Sequence, residues 1–334
     1  MFNLAVDFRR ALFGLVLLGL AGCGGANTAI PSTGISKNAA PGHIKALKDE
    51  RFEVRRDAAH SLWQIGALAP EATPALIEAL HDQEPEVREE AARALARTAE
   101  GEKKAILALG EALKDPSSAV KARAAAALLE LQEDAKPEAK TLIPALIAVL
   151  KDSDENAQAE AAMMLAQFGP AAKDAVPILL GNLRAAQART RLNTIFALGK
   201  IGPDAKAALP NFIELVKNDS SLGVRVNAIG AIGLMRSEAR SAIPFLIENL
   251  KKDDPSLKTG AALALLNIGP LAKEALPVLE EEVKKYPGDE RLQRALNGAI
   301  QSLQGKPVAL PNPGGGMTAP NGKAMAPPTP RNRP

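Results

Sequence analysis

Between residues 42 and 305 apolar side chains recur at helical spacing, in pairs of short stripes divided by polar turns. The phrase "IGPDAKAALPNFIELV" at 201–216 returns as "IGPLAKEALPVLEEEV" at 268–283 and as "FGPAAKDAVPILLGNL" at 168–183. In each copy an apolar helix ends in Ile-Gly or Phe-Gly and a short polar link follows. A proline then opens the next helix in its first turn, where a missing N–H costs nothing. That helix runs to an Asp-containing turn, and a second helix begins near Val-Arg. Anchored on that Val, the series is Val54, Val87, Val120, Ala157, Thr190, Val224, Leu257 and Leu292, at spacings of 33, 33, 37, 33, 34, 33 and 35 residues. Pro74, Pro144, Pro177, Pro210, Pro244 and Pro277 mark the helix openings, and the pair around Lys103 to Leu113 lacks one. A lone hairpin of this kind cannot bury its stripe, so the copies stack. The expectation is an all-α chain, an α-solenoid of about eight helical hairpins.

The Asp-turn-Val-Arg signature at this period resembles HEAT repeats, in particular the short HEAT-like class first noted in phycobilin lyases. Tetratricopeptide repeats share the period, but their Trp, Gly-Tyr and Phe positions are absent here. The HEAT resemblance implies a curved right-handed superhelix whose second helices line the concave surface. It also implies a ladder between neighbouring units, made of an acidic turn residue and the basic residue after the anchor. Asp49, Asp82, Asp115, Asp152 and Asp219 lie six residues before Arg55, Arg88, Lys121, Gln158 and Arg225. By this spacing the ladder is interrupted at Gln158. It fails at Arg191, where Ala185 takes the acidic slot, and Lys258 has Asp253 one residue late. These charges read as scaffold.

On a helical wheel at about 100° per residue, slots 0, 4, 7, 8 and 11 after each anchor form the core face. Slots 2, 6 and 9 point away. The first two repeats are polar there, with His60 and Trp63 together; later repeats turn apolar at Met163, Leu192, Phe196, Val226, Leu263 and Leu266. Asn193 and Asn227 occupy one slot of adjacent units and border this strip. A contiguous apolar strip suggests a binding surface for a protein partner.

Composition narrows the classes. Apolar residues make up 46% and aromatics only 3%, which suits helices packed closely through alanine and leucine. The net charge of +3 is concentrated at the ends. The leader (Asp7, Arg9, Arg10) carries +1, the tail (Lys306, Lys323, Arg331, Arg333) +4 and Lys37 +1, which leaves −3 for the repeats. That balance does not supply the basic stripe of a nucleic-acid binder.

Residues 1–22 read as an export leader, with Arg9-Arg10 ahead of an apolar run from Ala11 to Leu20. The run is short for a membrane span. Leu20-Ala21-Gly22-Cys23 resembles the lipobox of bacterial lipoproteins, which implies that Cys23 is acylated and becomes the first mature residue. Gly24 at the next position resembles the pattern sent to the periplasmic face of the outer membrane in Gram-negative bacteria. The arginine pair also resembles a twin-arginine signal, and general or twin-arginine export both fit. Residues 23–41 read as a flexible tether, 42–305 as the solenoid, and 306–334, rich in Pro and Gly, as a disordered tail.

Catalytic patterns are lacking. The histidines, His43, His60 and His81, form no His-Glu-x-x-His pair, and phosphate-loop and dinucleotide glycine fingerprints are absent. One cysteine excludes a thiolate metal cluster within one chain. The expectation is a membrane-anchored, non-enzymatic scaffold with no cofactor, metal, nucleic acid or small-molecule substrate. A lyase-like subunit acting on a bound small molecule and a purely structural envelope spacer stay open as alternatives.

Overall fold

The computed structural model describes residues 37–306. The leader, Cys23, most of the tether and nearly all of the tail lie outside the described residues. Within them there is no strand. The helices form eight hairpins. The first helices are α1 (Ala40–Ala46), α3 (Thr73–Ala79), α5 (Lys103–Ala112), α7 (Ala139–Val149), α9 (Val176–Asn182), α11 (Leu209–Asn218), α13 (Ile243–Leu250) and α15 (Leu276–Lys285). The second helices are α2 (Phe52–Ile65), α4 (Pro85–Thr98), α6 (Ser118–Glu130), α8 (Glu155–Phe168), α10 (Ala188–Ile201), α12 (Leu222–Leu234), α14 (Pro255–Ile268) and α16 (Glu290–Leu303). The architecture is an α-solenoid.

Local chemistry accounts for the breaks. Each second helix is preceded by a residue in extended conformation, from Arg51 to Asp289. At Asp154, Ser221, Asp254 and Asp289 the side chain accepts a first-turn N–H, satisfying donors that the helix leaves unpaired. Six first helices carry proline at their opening, Pro41, Pro74, Pro177, Pro210, Pro244 and Pro277. Pro144 departs from the expectation: it lies inside α7. The 37-residue spacing before Ala157 adds a helical turn ahead of that proline, so the helix starts at Ala139.

The second helices stack directly on one another from α2 to α16, while successive first helices meet at few points. Slots 4 and 8 meet at the centre of this stack. Leu62, Leu95, Leu128, Leu165, Leu198, Ile232 and Leu265 are all fully buried, and Ala58, Ala91, Ala124, Ala161, Ala228 and Ala261 are buried beside them. Each such leucine contributes about 1.5–3 kcal/mol by leaving water, and alanine lets the helices come close enough to bury it. The approach is tightest at Gly233, where a Cβ would lie 2.6 Å from the Ala264 Cα. One apolar stretch, Pro255–Lys285, has the length and hydropathy of a membrane-crossing segment. It comprises α14 and α15, joined through Gly269 at φ 73, and its buried side chains belong to the stack.

The charged ladder runs between hairpins, and it corrects the expectation for Arg191. Arg55 Nε and Nη2 donate to both carboxylate oxygens of Asp82, at 2.6 and 2.7 Å. Arg88 holds Asp115 at 2.7 and 2.9 Å, and Arg191 holds Asp219 at 2.7 and 2.9 Å. Lys121 reaches Asp152 at 2.5 Å. The six-residue spacing seen in the sequence is real, but it works through the backbone. Arg55, Arg88 and Arg191 each donate Nη1 to the carbonyl six residues earlier, at Asp49, Asp82 and Ala185. Any residue supplies a carbonyl, so Ala185 does not break Arg191's rung. The rung lost at Gln158 is lost on both sides, since Ala185 is the acid that would have met it. Lys258 pairs with Glu282 of α15 rather than with Asp253, and both are only 2% exposed.

At Asp82, Asp115 and Asp152 burial alone would raise the carboxyls, and the hydrogen bonds outweigh it. Lys121, the Asp154 N–H and the Ser118 hydroxyl together bring Asp152 down to about 2. Asp82 and Asp115 are shifted in the same direction by Arg55 and Arg88.

Candidate functional site

The outward face of the second helices is best defined by slot 6. His60, Arg93, Ala126, Met163, Phe196, Gly230 and Leu263 are each half-buried, from the first hairpin to the seventh. Slots 2 and 9 are partly covered by neighbouring helices: Ala159, Thr259 and Ala166 are buried, whereas Leu192, Val226 and Leu266 are half-buried and, like Phe196 and Leu263 of slot 6, rest on the core. All six apolar residues expected in the strip therefore reach the surface of the stack, Met163 on α8, Leu192 and Phe196 on α10, Val226 on α12, and Leu263 and Leu266 on α14. Phe196 carries the Lys200 ammonium 5.2 Å from its ring centroid.

Asn193 and Asn227 do not act as a pair. Asn193 is 5% exposed and donates Nδ2 to the Ala159 carbonyl of α8 at 2.9 Å. Slot 3 lies on the side of α10 turned toward the preceding hairpin, so its amide satisfies a buried carbonyl there. Asn227 is half-buried and donates to Gly223 of its own helix. Asn193 is a packing residue rather than a border of the strip.

Gly230 adds what the sequence pattern did not single out. It holds slot 6 of α12, between Phe196 of α10 and Leu263 of α14, and a Cβ built there meets no heavy atom within 4 Å. The row thus reads Met163, Phe196, notch, Leu263. The slot register carried this signal, since glycine stands where its neighbours present large apolar side chains.

At the other end the face is closed on itself electrically. His60 Nδ1 lies 3.1 Å from Glu90 Oε2, whose other oxygen meets Arg93 at 3.4 Å. The Arg93 guanidinium sits 3.7 Å from the Trp63 centroid and that of Arg97 5.4 Å. Arg123 pairs with Glu89 between hairpins two and three, and Arg189 pairs with Glu160 between hairpins four and five, beside the apolar row. These charges are used in joining repeats. Among the described residues, no group of three or more His, Cys, Asp or Glu could hold a metal ion.

The profile of the HEAT-repeat family matches residues 40–129, 143–225 and 209–299, which together span most of the chain. It is a HEAT-repeat protein. No curated protein matches it in sequence. The X-ray structure of Escherichia coli YibA is 19% identical with a TM-score of 0.55, the match covering 80% of this HEAT-repeat chain and 96% of that one. A chain from a structure describing a phosphorylation switch in the cadherin–β-catenin interaction is 17% identical, with a TM-score of 0.56 and coverage of 79% and 60%. Yeast importin-β (Kap95p) is 14% identical with a TM-score of 0.61, covering 79% of this chain and 40% of the importin. At these identities the likeness is one of fold.

Proposed function

We propose that this HEAT-repeat protein is an exported, lipid-anchored scaffold that captures a protein partner on the face of its second helices. The observation that carries the reading is the row Met163, Phe196, Gly230 and Leu263. It is apolar, continuous over hairpins four to seven, and notched where a partner's side chain can enter. Apolar anchors seated in a pocket supply most of the energy of protein interfaces. HEAT solenoids expose such faces in extended rows, and the cadherin–β-catenin structure among its likenesses describes an interaction between two proteins. On this reading the face works by binding a protein, without cofactor or small-molecule substrate. Cys23 supplies the anchor, and Gly24 directs it to the periplasmic face of an outer membrane.

A photo-crosslinking amino acid placed at Gly230 tests both parts in cells. It should join the chain to one protein in the membrane fraction, whereas the same probe at Glu214, exposed on α11, should not. Cys23→Ala should move the crosslinked pair to the soluble fraction. Equal adducts from Gly230 and Glu214 would refute the face, and an unchanged membrane fraction would refute the anchor.

A further inference from the structure

We propose that Arg225 is a docking point for a side-chain carboxylate of a partner chain, which completes from outside the rung missing between hairpins six and seven. In three rungs the same three donors grip one aspartate. Asp82 accepts Arg55 Nε and Nη2 and also the Glu84 N–H at 3.0 Å. Asp115 accepts Arg88 and the Ser117 N–H, and Asp219 accepts Arg191 and the Ser221 N–H, both N–H contacts at 2.8 Å.

Arg225 keeps the six-residue tie of those arginines, its Nη1 donating to the Asp219 carbonyl at 2.9 Å, while each of the other three also reaches the carbonyl five residues earlier. The position that should answer it carries Lys252. Its ammonium is turned back on its own helix, 3.2 Å from Asn249 Oδ1 and 3.6 Å from Glu248 Oε1. Asp253, one residue on, is exposed, and Asp254 is engaged in capping α14 through the Ser256 and Leu257 N–H groups. Among the described residues, neither Arg225 Nε and Nη2 nor the Asp254 N–H, the counterpart of Glu84 N–H, meets an acceptor.

The junction between hairpins four and five shows that this is not a general result of losing the aspartate. There Ala185 replaces Asp, glutamine replaces the base at 158, and Glu155 Oε2 accepts the Gln187 N–H at 2.7 Å. The donors are met from within. Between hairpins six and seven they are not, and the fork keeps a geometry that matches both oxygens of a carboxylate. A guanidinium already fixed by one bond loses little freedom when it forms two more. Lys217 and Lys252 each lie within 6 Å of the Phe245 ring centroid.

The inference stands on residues outside the apolar row, so its test is independent of partner capture there. In the ¹⁵N-labelled full chain, the Arg225 Nε–H resonance should lie apart from those of Arg55, Arg88 and Arg191. Titration with acetyl-Gly-Asp-Gly-amide should move it saturably toward them, while the Asn peptide leaves it in place. Lys252→Asp should put it with the other three from the start, abolish the response and raise Tm by about 2–4 °C. That gain should vanish in an Arg225→Gln background. The proposal is overturned if Arg225 already resonates with the paired arginines, or if Asp and Asn peptides act alike. It is overturned too if inorganic phosphate moves the resonance and the Asp peptide does not, or if Lys252→Asp changes neither resonance nor Tm.

Discussion

At the scale of single residues, backbone conformation explains one anomaly in the repeat. Gly66, Gly169, Gly202 and Gly269 close α2, α8, α10 and α14 with φ between 55 and 79, twelve residues after their anchors. In hairpin six that position is Arg236, the only non-glycine at positive φ among the described residues, at φ 52. A side chain there costs about 1–2 kcal/mol, and Arg236 is exposed, its side chain making no hydrogen bond or ion pair among the described residues. Arg236→Gly should therefore raise stability by about 1 kcal/mol, read from the denaturant midpoint with an unchanged m-value. A loss of stability would mean that the arginine makes a contact worth more than its strain.

Elements join through the rungs, and there the sign of a pH effect can be worked out. Asp152 has a folded value of about 2, below the ordinary carboxylate, so the unfolded chain binds the proton more readily. Its contribution is complete above the unfolded value near 4 and is lost as pH falls through about 2. Asp152→Asn should cost on the order of 2 kcal/mol at pH 7, and the gap to the wild type should close between pH 4 and pH 2. A gap independent of pH would assign the loss to packing alone.

The elements were also where the sequence could be read furthest. Helix pairs, turns and the core slots follow from apolar spacing and from glycine and proline, which are local properties. Pro144 and the ladder depart from the local pattern because both depend on distance in space. An extra turn can be inserted ahead of a proline without altering the phrase around it. An Arg fork aimed at an aspartate 27 or 28 residues ahead leaves only its weaker tie, to a carbonyl six residues behind, in the local pattern. Asn193 departs from it for a related reason. Slot 3 lies on the flank of an isolated wheel, between the core and outward faces, and only the neighbouring helix makes it a buried position.

For the whole molecule, the repeats give a row of second helices with two unlike halves, one internally ion-paired around Trp63 and one apolar from Met163 to Leu266. The apolar half was legible from the wheel, while the notch at Gly230 needed the neighbours on either side. The central claim is that this half binds a protein, and Phe196→Asp against Leu198→Asp tests it most directly. Leu198 is fully buried in α10, and a carboxylate there should cost several kcal/mol and unfold its hairpin. Phe196, half-buried in the same helix, should tolerate Asp with a small change in Tm. Yet a carboxylate in the middle of the apolar row should abolish recovery of the protein crosslinked at Gly230. The account predicts near wild-type melting with lost capture for Phe196→Asp. Capture that survives in a stably folded Phe196→Asp chain, or melting as early as that of Leu198→Asp, would contradict it.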